Sequence, residues 1–269
     1  MKTPPRSDLH THTPLCHHAE GTPEEYIKAA AAAGLTCYGI SDHAPQSPEP
    51  FDDWRMSWSN LPAYLAWIER ARSAADFTVL AGLECDWLPN ESQSLQHLEK
   101  IRNAHSWDYL IGSVHYLELA NHELWDFDNP AHLSRWKSFS DRDLHELWEN
   151  YWANYLTMVR SQSFEIYAHP DLIKKFSFVP SGDLRPYYEP IISALADSGQ
   201  ATELNTAGWH KPCSAPYPGE EFLSLLGQAQ VPVYLNSDAH HPNEVARDFE
   251  RAYELALTHN LLLGSSLPK

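Results

Sequence analysis

Histidine and carboxylate side chains stand at the ends of several short apolar segments of this sequence. The first segment ends in His10 and His12, whose i, i+2 spacing puts both imidazoles on one face of an extended chain. Taken over all segments, the residues of these types are His10, His12, His43, Glu84, His115, His169, Asp238 and His240. Imidazole with carboxylate, and no thiolate, suits Zn, Mn or Fe, and the set is too large for one ion.

A structural role is the competing interpretation for each histidine taken singly. A lone histidine at a strand end is more often hydrogen-bonded than metal-bound, and a His-x-His pair arises easily by chance in a chain with 16 histidines. Six segment ends carry such residues at once, however, and the ends of parallel strands converge in space. The set therefore predicts a site for at least two metal ions, with room for a third.

The elements that must position these residues follow from a repeated alternation of short apolar segments and helical patterns. The predicted strands are 7–12, 37–42, 78–86, 109–114, 165–169, 201–205 and 233–237. The predicted helices are 23–33, 60–73, 92–104, 141–161, 185–198, 220–229 and 244–259. This pattern is typical of a parallel α/β sheet, and the chain length favours a barrel over an open doubly wound sheet. The alternation alone does not decide whether the sheet closes.

The segment 116–140 fits neither the strand nor the helix pattern. It mixes Trp125, Phe127 and Trp136 with polar residues and follows the fourth predicted strand. Insertions at this place commonly shape the mouth of a site. A segment packed there only for stability is an equally good interpretation.

Composition narrows the class of protein. The chain has 269 residues, 43% of them hydrophobic, and we treat 1–269 as one domain. With 19 Lys and Arg against 36 Asp and Glu, the formal net charge is -17, the opposite of a nucleic-acid-binding module. Without an apolar stretch of about 18 residues, a membrane span is not expected. Four scattered cysteines and a short polar N-terminus predict a cytoplasmic protein.

The motifs at the segment ends resemble those of the polymerase and histidinol phosphatase (PHP) superfamily. They are DLHTHT (8–13), SDH (41–43), GLE (82–84), GSVH (112–115), AHPDLI (168–173) and SDAH (237–240). They occur in the family's order and span nearly the whole chain. The resemblance implies a distorted (β/α)7 barrel with a trinuclear metal centre at the C-terminal ends of its strands, in which Zn, Mn or Fe is bound.

Two further stretches resemble the monofunctional histidinol-phosphatases within that superfamily. In TPLCHHAEG (13–21) the subfamily pattern favours His18 as the ninth ligand, although on spacing alone His17 fits equally well. ELNTAG (203–208), followed by Lys211 and a proline, also resembles the subfamily. The chain departs from the pattern at His210, where an arginine is expected, and at Gly219, where a serine is usual. These departures concern the substrate contacts rather than the metal ligands.

The activity that the resemblance implies is hydrolysis of L-histidinol phosphate to L-histidinol and phosphate, a step of histidine biosynthesis. We expect a metal-bridging hydroxide to attack phosphorus directly, because coordination lowers the pKa of bound water towards neutrality. Asp238 is the expected proton acceptor. His240 or His210 is the candidate donor to the leaving alkoxide.

Substrate contacts are expected from both basic and acidic side chains. Lys174 and Lys175 follow the fifth segment end, where histidinol-phosphatases carry a phosphate-binding basic residue, and one of the two is a surface charge on any interpretation. His210 and Lys211 are further candidates. The cationic end of the substrate needs an acidic partner, and the candidates are Glu20, Asp42, Asp126 and Asp128. A supporting role behind a metal ligand is the alternative for Asp42.

Two other functions compete with this hypothesis. The first is a PHP phosphoesterase that acts on nucleotides or phosphodiesters. The second is a non-catalytic module of the kind attached to some DNA polymerases, which the complete ligand set disfavours. The hypothesis involves a small phosphate monoester and neither nucleic acid nor membrane, and it leaves the oligomeric state open.

Overall fold

The predicted alternation of strands and helices is present in the computed structural model, which describes residues 6–264. Its strands are β1 (Ser7–Asp8), β2 (Cys37–Ile40), β3 (Thr78–Ala81), β4 (Glu84–Asp86), β5 (Ile111–Ser113), β6 (Tyr116–Glu118), β7 (Leu124–Asp126), β8 (Ile166–Tyr167), β9 (Ala201–Asn205), β10 (Pro232–Asn236) and β11 (Leu262–Leu263). Its α-helices are α1 (Pro23–Ala32), α2 (Leu61–Ala74), α3 (Glu91–Ala104), α4 (Leu133–Trp136), α5 (Asp141–Ser161), α6 (Arg185–Ser198), α7 (Glu220–Ala229) and α8 (Phe249–Thr258). Across 6–264, no helix combines the length and the apolar character needed to cross a membrane.

The strands form two parallel sheets that join at both sides. One sheet has the order β1-β2-β3 and the other the order β11-β10-β9-β8-β5-β4. The predicted strand 78–86 is divided, so that β3 pairs with β2 and β4 pairs with β5. Parallel bridges between Thr11 and Ala239 and between His43 and Glu84 connect the two sheets. The expected distorted barrel is therefore confirmed, and the joins between its sheets lie beside the candidate ligands.

The barrel interior is filled around one aromatic side chain, Tyr109. A Cβ atom at Gly82 would lie 2.6 Å from the Tyr109 ring, so only glycine leaves room for the ring there. The Tyr109 hydroxyl donates a hydrogen bond to the Leu9 carbonyl at 2.5 Å. Helices cover the outside of the barrel, where α5 buries Trp148 and Tyr155. The Tyr109 ring thus fixes the spacing of the strands whose ends carry the site.

The last predicted helix, 244–259, begins later than expected, at Phe249. Ala246 and Asp248 have φ angles of 52° and 61°, in the left-handed region that a right-handed helix excludes. The buried Asp8 carboxylate accepts a hydrogen bond from the Ala246 N–H at 2.9 Å. This contact with β1 holds the chain in a turn where the apolar periodicity alone indicates helix.

The segment 116–140 forms a hairpin of β6 and β7 followed by the short helix α4. Trp125, Phe127 and Trp136 are buried in the hydrophobic core. Asp128 and Asn129, between them, line the cavity described below. The segment thus has both roles that the sequence left open: its aromatic residues anchor it, and its polar residues shape the mouth.

Candidate metal centre and cavity

All nine predicted ligands lie together at the C-terminal ends of the barrel strands. His10 and His12 follow β1, His43 follows β2, and Glu84 opens β4. His115, His169, Asp238 and His240 follow later strands, and His18 comes from the loop between β1 and α1. We call the whole set the ligand cluster; it comprises His10, His12, His18, His43, Glu84, His115, His169, Asp238 and His240. Most of these side chains are buried, although Asp238 and His240 are partly exposed at the cavity and His18 is exposed.

Two carboxylates stand at the centre of the ligand cluster. Glu84 Oε1 is 2.8 Å from His169 Nε2, and Glu84 Oε2 is 2.9 Å from His43 Nδ1. Asp238 Oδ1 is 3.0 Å from His12 Nε2. Because these two acids contact imidazoles from different strands, each could bridge neighbouring ions.

The two adjacent histidines of the first loop point to different places. The His18 ring centre is 4.5 Å from that of His240 and 5.4 Å from that of His43. His17 has a left-handed backbone, with φ at 69°, and its Nδ1 is 3.0 Å from the carbonyl of Asp53. Both residues are exposed and line the cavity, but the loop brings His18 against the imidazoles of the ligand cluster and turns His17 towards Asp53.

Behind three of the imidazoles lies a buried carboxylate. Glu203 is 3.1 Å from His10 Nδ1, Asp42 is 3.3 Å from His12 Nδ1, and Asp86 is 2.7 Å from His115 Nδ1. A carboxylate at Nδ1 favours the neutral tautomer with its proton on that nitrogen, which would leave the Nε2 lone pair for a metal ion. Such outer carboxylates orient metal-binding histidines and raise their basicity. Sequence analysis missed Glu203 and Asp86 in this role, although both lie on strands that carry or adjoin ligands.

Asp86 is itself held by a buried arginine. Arg55 Nη1 donates to Asp86 Oδ2 at 2.6 Å, and Arg55 Nε donates to Asp52 at 2.6 Å. The guanidinium also lies 4.2 Å from the Trp54 ring centre. Arg55, Asp86 and His115 therefore form a chain of charged contacts that ends at the ligand cluster.

Charge in the cluster is balanced between acids and imidazoles. Burial raises the pKa of the Glu84 carboxyl, but the His10, His43 and His115 imidazoles outweigh it and hold that pKa well below its ordinary value. Burial lowers the pKa of His115, but Asp86 and Glu84 outweigh it and raise the pKa to about 9. The carboxylates thus remain charged and favour cations among them.

The donor atoms fit divalent metal ions. Sets of three residues with their ligand atoms within 4.8 Å of one another include His12 with His43 and His240, His10 with Glu84 and His169, and His10 with His12 and Asp238. The Nε2 atoms of His10 and His240 are buried and have no hydrogen-bond partner among residues 6–264. A buried polar atom without a partner is costly, and a metal ion would satisfy both nitrogens.

A cavity of about 540 Å³ opens beside the ligand cluster. We call the part of the lining formed by members of the ligand cluster, among them Glu84, Asp238 and His240, the near wall, and the part formed by the loop residues Lys175 and Asp128 the far wall. Trp54 forms part of the lining, with its ring centre 4.8 Å from that of His43, edge to face. The site therefore combines clustered metal-binding groups with space for a small molecule, a combination typical of a metal-dependent hydrolase.

The family model of the PHP domain matches residues 8–207 of this chain. This chain belongs to the PHP family. A probable histidinol-phosphatase of Deinococcus radiodurans is similar to it, at 39% identity over 249 residues, which cover 91% of this chain and 90% of the relative.

Two solved structures share the fold of this PHP protein. One is described provisionally as the histidinol phosphatase hisK of Listeria monocytogenes, with a TM-score of 0.74, 23% identity and coverage of 91% of this chain and 99% of that one. The other is histidinol phosphate phosphatase of Lactococcus lactis complexed with zinc, L-histidinol and phosphate, with a TM-score of 0.69, 18% identity and coverage of 96% and 95%.

The two neighbouring lysines of this PHP protein have different surroundings. Lys175 lines the cavity, and its Nζ is 2.9 Å from Asp128 Oδ2. Lys174 is buried, and its Nζ donates to Asp171 Oδ2 at 2.6 Å and to the Pro216 carbonyl at 2.7 Å. The structure thus separates a cavity cation from a structural one.

The other predicted substrate residues are also divided between cavity and support. Lys211 lines the cavity, whereas His210 lies outside the lining and its Nε2 is 2.6 Å from Asp248 Oδ2. Asp42 is buried behind His12, as the alternative interpretation has it. Of the four acidic candidates, Asp128 lines the cavity and Glu20, Asp42 and Asp126 do not.

Proposed function

We propose that this protein is a metal-dependent phosphomonoesterase that hydrolyses L-histidinol phosphate to L-histidinol and phosphate. The observation that carries the proposal is one cavity with the ligand cluster on its near wall and a Lys175–Asp128 pair on its far wall. The name of the Deinococcus relative and the ligands of the Lactococcus structure support this choice of substrate.

Three divalent ions, zinc, manganese or iron, are the proposed cofactors. The ligand cluster would hold them, with Glu84 and Asp238 as the shared acids. When bound, such ions attract the phosphate dianion and lower the pKa of coordinated water. Elemental analysis of fully loaded protein tests the number: three metals per chain are expected, and a single metal per chain would contradict the proposal.

The chain's own groups have distinct proposed roles at the near wall. Asp238 accepts the proton of the attacking water, since its carboxylate faces the cavity while Asn205 Nδ2 donates to its Oδ2 at 3.2 Å. His240 and His210 are the candidate proton donors, and His210 lies outside the cavity lining with its Nε2 2.6 Å from Asp248 Oδ2. Burial and the neighbouring His12 hold the pKa of His240 well below its ordinary value, so its imidazole is neutral. We therefore favour a ligand role for it over proton donation.

At the far wall, Lys175 and Asp128 would recognise the two ends of the substrate. Burial opposes ionisation of Asp128, but Lys175 and the His115 imidazole outweigh it and hold the pKa of Asp128 below its ordinary value. A carboxylate and an ammonium group are thus both present in the cavity. We infer that Lys175 binds the phosphate and Asp128 the cationic amine or imidazole, which fixes the orientation of phosphorus for attack.

Phosphate release from a panel of substrates tests the function. With Mn, Zn or Fe supplied after chelation, kcat/KM is expected to be highest for L-histidinol phosphate and lower for nucleoside monophosphates and for a phosphodiester. A nucleotide or diester preferred over histidinol phosphate would instead favour the alternative PHP phosphoesterase. Protein without activity on any of them would contradict both hypotheses.

A further inference from the structure

Arg247 is a cavity residue that no motif of the sequence points to. It lines the same cavity as Asp238 and His240, and its side chain is 26% exposed. Its Nη1 donates to Glu244 Oε1 at 2.9 Å. Its Nε is buried and has no hydrogen-bond partner among residues 6–264. One edge of the guanidinium is thus paired, while a donor on the same group lacks an acceptor.

The backbone around Arg247 is fixed by contacts that do not involve its side chain. Its two neighbours, Ala246 and Asp248, both have left-handed φ angles, which are uncommon for residues other than glycine. The Ala246 N–H is held by the buried Asp8, and Asp248 binds His210. The backbone at Arg247 is therefore held in place independently of the ion pair that its side chain makes with Glu244.

Glu244 connects Arg247 to the near wall. Glu244 Oε2 accepts a hydrogen bond from the His240 N–H at 2.9 Å, while Oε1 accepts from Arg247. Glu244 therefore holds the guanidinium beside the loop that carries Asp238 and His240. The charge of Lys175, by comparison, is opposed by Asp128, whose Oδ2 lies 2.9 Å from the Lys175 Nζ.

We propose that Arg247 is a phosphate-binding residue of this site. A guanidinium presents several N–H donors in a planar fork, so it can keep its bond to Glu244 and donate to phosphate oxygens as well. Its place beside Asp238 and His240 puts that fork next to the ligand cluster, where the phosphate group of the substrate would bind. The inference rests on the proposed phosphomonoesterase function and adds to it a cation that the motifs do not supply.

Inorganic phosphate is the probe that tests this role, used as an inhibitor of p-nitrophenyl phosphate hydrolysis by the metal-loaded protein. Arg247→Met is expected to raise the inhibition constant of phosphate about tenfold or more, as the loss of a charged hydrogen bond predicts. Arg247→Lys, which keeps the charge and loses the fork, should give a smaller rise. Metal content should stay at the wild-type value in both. Arg251→Met is the matched control, because Arg251 is exposed and lies over Trp209.

An unchanged inhibition constant in Arg247→Met would overturn the proposal. The proposal would also be overturned if the rise in the inhibition constant disappeared at saturating metal and Glu244→Gln gave the same rise. In that case the Arg247–Glu244 ion pair would only order the loop that carries His240. If Arg247→Met does not fold, Arg247→Lys decides, with a rise of about threefold in support and no rise against. The two proposals can fail separately. If the wild-type protein does not hydrolyse histidinol phosphate but Arg247→Met still weakens inhibition by phosphate, the proposed substrate is wrong and the role of Arg247 stands.

Discussion

The two walls of the cavity are built from different kinds of contact. On the near wall, buried histidines follow barrel strands and are backed by buried carboxylates. On the far wall, Lys175 and Asp128 stand on loops, are partly exposed, and contact each other. Arg247 and Glu244 form a second such pair, beside the loop that carries His240. One wall is positioned by backbone pairing and the other by exchangeable ion pairs.

We infer from this difference that the near wall binds metal and the far wall binds the substrate. Residues fixed by strands and outer carboxylates are suited to metal ligation, which requires fixed donor positions. Ion pairs on loops can open, and each partner can then take an opposite charge on the substrate. We expect changes on the near wall to affect all phosphate substrates through the metals, and changes on the far wall to affect affinity or choice of substrate.

The largest loss of metal and of activity is expected from a substitution in the loop between β1 and α1. His18→Ala should lose bound metal and lower kcat/KM on the order of 100-fold or more, since it removes a predicted ligand rather than a supporting group. His17→Ala is the matched control, because His17 turns towards Asp53. Elemental analysis and phosphate release measure both variants. Equal losses of metal and of kcat/KM in the two variants would contradict the assignment of His18, rather than His17, as the ligand.

Replacing a carboxylate that lies behind a ligand histidine should lower metal affinity and activity less than replacing a predicted ligand does. Asp86→Asn keeps the shape of the side chain and removes the charge behind His115, so metal affinity is expected to fall about 10–100-fold. Competition with a chromogenic chelator measures the affinity, and excess metal should restore activity. Glu24→Gln, in an exposed ion pair with Arg70, should leave affinity unchanged. Wild-type affinity in Asp86→Asn would show that the near wall does not depend on its outer shell.

The near wall could be predicted from the sequence because its geometry is that of strand ends. Period-two spacing puts His10 and His12 on one face, and parallel pairing brings distant strands to one edge. The alternation of strands and helices predicted a parallel α/β sheet, whereas the closed, distorted barrel was predicted from the family resemblance and the chain length. The site residues stay predictions until tested, as does the single-domain organisation.

The far wall could not be predicted in the same way, because loop conformation depends on tertiary contacts. Nothing in the local sequence distinguishes Lys174 from Lys175, yet the first is buried against Asp171. The turn that presents Arg247 depends on Asp8, more than 200 residues earlier in the chain. Periodicity predicts helix there, and the long-range hydrogen bond overrides it.

A change at Asp128 should alter selectivity with a moderate effect on rate. Asp128→Asn is expected to lower kcat/KM for histidinol phosphate about tenfold and to leave p-nitrophenyl phosphate nearly unchanged. Lys175→Met should weaken both substrates, since both carry phosphate. Asp126→Asn is the control, because Asp126 contacts His132 and lies outside the cavity lining. Parallel losses of both substrates in Asp128→Asn would contradict two-ended recognition.

The smallest effect on catalysis is expected at the lysine beside Lys175. Lys174→Met removes the charge that Asp171 contacts in a buried position, so the free energy of unfolding should fall by about 3–5 kcal/mol. Adding Asp171→Asn should restore part of that loss, because the remaining buried charge is then gone. The kcat/KM of the folded variant should stay within about twofold of wild type. Denaturant unfolding and phosphate release measure the two quantities. A loss of phosphate affinity in Lys174→Met as large as in Lys175→Met would place both lysines in the far wall and remove the distinction between the cavity cation and the structural one.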